Sequence, residues 1–249
     1  MAITLPTVLT ENQSNVAGSS KATGSFAMPS TGMVLAVWSI RVNAGTLSNP
    51  TLTDNVGGTW VNYSDGTNNA NSVIQSNVAR IKVFRCSSFG SGTATLTLDC
   101  AGNSHDGFIW HILHYPDCLN QNAIQVVVGT GTSSALLSTL AAEQAANGTI
   151  GFGGHLSGTG APTVGSGFTI SGTAFKVTGV NLASIAEANT GNDTTVDATG
   201  SGSAAWSMIG AEVAPITNAT GLGADTVRSQ FRTYCAVNRR TAATAGELW

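Results

Sequence analysis

The sequence predicts an all-β protein built as an antiparallel β-sandwich, and three observations carry that expectation. The first is strict alternation over residues 93–100. Ala94, Leu96, Leu98 and Cys100 point one way, and Thr93, Thr95, Thr97 and Asp99 the other. That is the period of a strand with one dry and one wet face. The second is a pair of runs, Met33–Val42 and Phe108–Tyr115, that are apolar or aromatic on both faces, as expected of strands covered on both sides. The third is composition. Of 249 residues only 9% are charged against 42% hydrophobic, and there are 30 glycines. Low charge with so much apolar and β-tolerant sequence is the opposite of disorder.

The elements follow in order. Residues 1–23 are small and polar and read as a short strand or an N-terminal arm. Gly24–Pro29 is the first firm strand, Thr31-Gly32 a turn and Met33–Val42 a central strand. After a loop over 43–50, Thr51–Asp54 is a strand, Asn55-Val56-Gly57-Gly58 a turn and Thr59–Tyr63 a strand; Ser64–Ser72 is an exposed loop. Asn77–Cys86, Thr93–Cys100 and Phe108–Tyr115 then read as a three-strand meander joined by Ser/Gly and Gly/Asn/Asp turns. Past Pro116, strands are expected at Ala123–Val128, Thr149–Leu156, Phe168–Ile170, Phe175–Val177, Leu182–Ala188, Thr194–Ala198 and Ala204–Val213. Ser138–Ala146 is the one stretch of helical composition, and it reads equally well as a strand and a turn.

The two halves rhyme weakly. The order of strands over Gly32–His114 returns in shorter form over Gly148–Val213, with Gly92–Leu98 matched to Gly191–Ala198 and Trp110 to Trp206 or Met208. Three segments result: an N-terminal arm at 1–23, a sandwich at 24–215 with pseudo-repeated halves at about 24–117 and 122–215, and a C-terminal arm at 216–249. The link between the halves is short, which favours one intimate unit over two beads on a string. The end of the chain differs in charge. Arg228, Arg232, Arg239 and Arg240, against Glu247, leave residues 228–249 at +3, whereas the preceding 227 residues carry −6. This extended basic arm, closed by Trp249, is the candidate partner interface, suited to an acidic protein surface. The acidic body and the lack of interleaved aromatics argue against nucleic acid.

Several chemistries find no support. No basic or long apolar run opens the chain, and no segment approaches 18 apolar residues, so neither a signal peptide nor a membrane span is expected. Cys86, Cys100, Cys118 and Cys235 have no CxxC spacing and are expected as free thiols, with the hairpin register keeping Cys86 and Cys100 apart. His111 and His114 lie three apart on a strand and face opposite ways, so they cannot share a metal. The Gly151–Gly154 glycines read as bulge or close-packing positions rather than a cofactor loop. No nucleophile elbow, phosphate loop or calcium loop is present, and carboxylates are sparse. The expectation is a protein that is not an enzyme, with no cofactor and no metal. Trp38, Trp60, Trp110 and Trp206 fall on strands and are expected in the core; two exposed together would instead make a platform for a glycan.

Three pieces together resemble a β-sandwich domain of tailed-bacteriophage virion proteins. Thr53-Asp54-Asn55-Val56-Gly57-Gly58-Thr59-Trp60 is similar to that family's D-x-x-G-N/G-T-W turn. Ile81–Cys86 followed by Gly92–Leu98 resembles its strand–Gly–T-x-T hairpin. Phe108–Tyr115 stands where the family has a strand with an acidic-aromatic ending, from which His114-Tyr115-Pro116 departs. The resemblance covers roughly residues 24–213. It implies a jelly-roll-like module of the virion, synthesised in the cytoplasm of the bacterial host, and a capsid decoration or cementing role. It further implies a homo-oligomer, with a trimer favoured, and the major capsid protein or other virion proteins as partners. The alternative it leaves is a tail, collar or fibre-associated module that binds a host-surface glycan. It implies no catalytic residues.

Overall fold

Strands that are apolar on both faces need a sheet with neighbours above and below, and the fold has four layers of which the inner two are covered in this way. The computed structural model describes residues 3–42, 45–141, 146–156, 160–191 and 193–216. The first half supplies β1 (Thr7–Ser14), β2 (Ser20–Ala22), β3 (Phe26–Ala27), β4 (Met33–Arg41), β5 (Thr51–Asp54), β6 (Thr59–Asn62), β7 (Asn71–Gln75), β8 (Ala79–Ser88), β9 (Thr93–Ala94), β10 (Leu96–Asp99) and β11 (Gly107–Tyr115). The second supplies β12 (Gln125–Gly131), β13 (Ala135–Thr139), β14 (Gly148–His155), β15 (Thr163–Val164), β16 (Thr169–Ile170), β17 (Phe175–Val177), β18 (Leu182–Asn189), β19 (Thr195–Thr199) and β20 (Trp206–Val213). Every pairing is antiparallel.

Each half forms a sandwich of one large and one small sheet. The large sheets run β1-β11-β4-β8-β6 and β12-β20-β14-β18-β16, with β7 and β17 continuing the edge beside β8 and β18; the small sheets run β2-β10-β5 and β13-β19-β15. In the large and small sheets the second half repeats the first strand for strand, and the separate β3-β9 pair of the first half has no counterpart among the described residues. The weak rhyme in the sequence is therefore a topological duplication of both sheets.

Side-chain parity divides the interior into three cores. On β4, Val34, Ala36, Trp38 and Ile40 face the first small sheet, whereas Met33, Leu35 and Val37 face the other half. On β14, Ile150 and Phe152 enter that same central core with Leu182 and Ala186 of β18 and Ile209 and Ala211 of β20. The third core, with Leu136, Ile185, Val196 and Met208, lies between the second large and small sheets. The order of layers is thus small, large, large, small, and the central core joins the two sandwiches back to back. Equivalent strands exchange across it: β11 faces β17 while β20 faces β7, and β4 faces β18 while β14 faces β8. Gly154 makes this approach possible, because a Cβ there would lie 2.7 Å from the Cδ1 atoms of Ile74 and Ile81. Two buried hydroxyl pairs cross the same core, Ser39 to Ser184 at 3.0 Å and Ser207 to Ser72 at 2.6 Å.

Two expectations are corrected, and two that left a strand open resolve as strand. Asn77–Tyr115 is not a meander: β8 and β11 flank β4 in the large sheet, and β10 lies in the small sheet between β2 and β5. The wet Thr face of β10 suits an outer layer, and the two dry faces of β8 and β11 suit an inner one. The hairpin register invoked for Cys86 and Cys100 falls with the meander, although Cys86, Cys100 and Cys118 are indeed free and buried; Cys235 lies outside the described residues. The stretch 1–23 is strand rather than arm, since β1 ladders along β11 and β2 along β10. Its polar residues fit because an edge strand keeps one side wet. Ser138-Thr139 closes β13, and no helix occurs among the described residues. The chain divides after Pro215, and the C-terminal arm expected from there on lies, beyond residue 216, outside the described residues.

Candidate functional site

The turn that carries the resemblance is organised by one carboxylate. Asp54 ends β5, and its Oδ1 accepts from the backbone N–H groups of Val56 (3.0 Å) and Gly58 (2.9 Å). Oδ2 accepts from the Trp60 indole N–H at 2.8 Å. Gly57 has φ +81°, a left-handed conformation that favours glycine, and a Cβ on Gly58 would fall 2.3 Å from Asp54 Oδ2. Asn55 then ties the turn to the neighbouring strands, accepting from Thr95 N at 2.7 Å. Asp, two glycines and Trp at this spacing are a structural device that sets the ring of Trp60.

That ring borders a groove of about 460 Å³ at the open mouth of the first sandwich, between β5 of the small sheet and β6 and β8 of the large one. Register places its polar groups. Trp60 pairs with Cys86 and Asn62 with Phe84, so both β6 side chains share a face with Phe84 and, two residues back, Lys82. Asn62 and Asn49 are exposed, Trp60 is half-buried, and Lys82 is 4% exposed. The Lys82 ammonium donates to Asn49 Oδ1 (2.8 Å) and the Pro50 carbonyl (2.7 Å), and lies 4.8 Å from the centre of the Phe84 ring. Arg80, on the same face, donates to the same Asn49 oxygen at 3.1 Å. Burial, with Arg80 adding to it, pulls the Lys82 ammonium down to about 8. Among the described residues the ion pairs are Arg41–Asp106 and His111–Glu11 alone, so neither Lys82, which lines the groove, nor Arg80 beside it has a carboxylate partner.

A second groove, of about 560 Å³, runs between residues 67–71 and the free edge of β12. Asp65 fixes its wall. It accepts from the N–H groups of Thr67, Asn68 and Val126 at 2.6–2.9 Å and from the Asn68 amide. Burial works to raise this carboxyl, but those donors outweigh it and hold it at about 2. The expected exposed loop at 64–72 is thereby pinned to the second sandwich. Beside it, β12 and β13 are both edge strands, and they expose Ile124, Val128 and Leu137.

The remaining candidates are spoken for. His111 and His114 face opposite ways: His111 Nδ1 lies 3.3 Å from Glu11 Oε2, and His114 Nε2 lies 2.9 Å from the Thr31 carbonyl. His105 Nδ1 contacts the Asn103 carbonyl at 2.9 Å and Nε2 the Ser48 hydroxyl at 3.3 Å, while Asp106 pairs with Arg41. No His/Cys/Asp/Glu group suited to a metal occurs among the described residues. Trp38, Trp110 and Trp206 are core residues, the first two 5.3 Å apart between ring centres, whereas Trp60 lines a groove. Arg228, Arg232, Arg239, Arg240 and Trp249 lie outside the described residues. The Arg80/Lys82 pair escaped the sequence reading because its strand looks merely apolar. The signal was present: cations at i and i+2, alternating with Ile81 and Val83, must share a face.

No family model matches the chain, and neither a curated protein nor a solved structure matches it.

Proposed function

We propose that the chain is a non-enzymatic structural protein of a tailed-bacteriophage virion, a decoration protein that binds the outside of the capsid shell as a trimer and cements it. One observation carries the reading. β12 and β13 end two sheets on the same side of the second sandwich, beside exposed Val128 and Leu137. Edge strands with exposed apolar side chains are surfaces that another protein covers. A charge-poor exterior suits permanent packing in an assembly better than free diffusion. The resemblance of the Asp54 turn and its neighbouring strands to virion sandwiches supports the same reading, and the basic residues of 228–249 supply charge for an acidic partner.

Two variants test it. Light scattering on the wild-type chain is expected to give about three times the monomer mass of 25.2 kDa. The pair Val128→Glu/Leu137→Glu is expected to lower that mass and to abolish binding to undecorated shells. Deleting residues 228–249 is expected to abolish shell binding while leaving the sandwich folded. Full shell occupancy by both variants would overturn the proposal.

A further inference from the structure

We propose that the groove between β5 and β6 binds an acidic saccharide, with Trp60 as the stacking face and Lys82 as the counter-charge for a uronate carboxylate. This is independent of where the chain sits on a particle. It rests on what the groove holds and what it lacks.

Two cations, Arg80 and Lys82, share one neutral acceptor, the Asn49 amide oxygen, and Lys82 adds only the neutral Pro50 carbonyl. Arg80 also keeps a buried Nε without a hydrogen-bond partner. Taking a charge out of water without a counter-ion is costly, and natural folds supply one. Here none of the described residues does so, yet Lys82 is not sealed in a core: it is among the residues that line a groove open to solvent. An anion arriving from outside would complete the site.

The shape and the remaining donors narrow the class. At about 460 Å³ the groove fits a small ligand of one or two rings. Its half-buried indole is held in place by the Asp54 bond and offers an apolar face. Apolar C–H faces of a sugar ring stack on such a surface, and exposed amides at Asn49 and Asn62 match hydroxyl groups as both donors and acceptors. The carboxylate of a uronate would then meet Lys82 through a charge-assisted bond, stronger than one between neutral groups. A neutral sugar would use the ring and the amides but leave the cations as they are.

The test is calorimetric titration of the full chain with tetragalacturonate and, as a neutral probe of equal length, cellotetraose. Tetragalacturonate is expected to bind at least about tenfold more tightly, a difference of roughly 1.4 kcal/mol. Lys82→Met is expected to erase the preference, and Trp60→Ala to weaken both probes. Because Lys82 and Trp60 also contribute to folding, Asn62→Asp is the decisive variant. It lies exposed on the rim, and it is expected to weaken tetragalacturonate about tenfold more than cellotetraose, which loses only the amide's donor. Equal affinity for the two probes, no binding of tetragalacturonate, indifference to Asn62→Asp, or full displacement by inorganic phosphate at equal concentration would each overturn the assignment.

Discussion

Asp54 illustrates how a single carboxylate carries a turn. Its two oxygens accept three hydrogen bonds, and an amide in its place would turn an N–H₂ toward one of those donors. Asp54→Asn is therefore expected to destabilise the fold by about 1–3 kcal/mol, read as a lower urea midpoint, and to alter the near-ultraviolet signal of Trp60. Glu187 is the opposite kind of carboxyl. Buried in β18, with Oε1 unpartnered and Asp197 nearby, it is pushed up to about 8 from an ordinary 4.5 by burial first and Asp197 second. Between those values the unfolded chain binds fewer protons than the folded one, so stability falls as pH rises from about 4.5 to 8. Glu187→Gln is expected to flatten that slope; an unchanged difference between urea midpoints at pH 5.5 and 8.5 would contradict this. Glu11 works the other way. Burial alone would raise it, but the bonds from His111 and Thr173 hold it below its ordinary value, so its contribution is lost as pH falls. At this scale the Asp54 turn was legible, because its residues are contiguous. Glu187 was not, because its burial depends on strands far apart in sequence.

At the scale of the element, the length and period of most strands were readable and their neighbours were not. Met33–Val42 was recognisable as a central strand, and β5 and β17 fall on their expected residues. The meander failed because adjacency in sequence was taken for adjacency in a sheet. The chain instead crosses between layers at each turn, from β8 to β10 and from β10 to β11. The cue was the contrast between one-faced and two-faced strands. The buried serines show what the inner strands require of each other. Removing one hydroxyl of the Ser39–Ser184 pair strands its partner in a dry core, at a cost of about 1–3 kcal/mol, whereas removing both is expected to cost little more than either alone. A double-mutant cycle with Ser39→Ala and Ser184→Ala is expected to return a coupling of about 1 kcal/mol, and strict additivity would argue against the contact.

For the whole molecule, the duplication decides how the chain behaves. Each half repeats the other, yet neither owns the central core: Leu35, Ile81 and Ile109 of one half need Phe152, Leu182 and Ile209 of the other. The two sandwiches are expected to unfold in one transition, and Phe152→Ala, at a cost of about 3–5 kcal/mol, is expected to lower a single midpoint rather than split it. The repeat was visible in the sequence as a rhyme of strand order. That the halves meet through their large sheets was not, because a strand with two dry faces does not say which layer covers it. The same body places β12 and β13 at sheet edges with Val128 and Leu137 exposed, and the proposed role on a capsid rests on that face. The direct measurement is quantitative mass spectrometry of purified virions. A decoration protein predicts a copy number commensurate with that of the major capsid protein. Absence from the particle, or a copy number typical of a tail component, would contradict it.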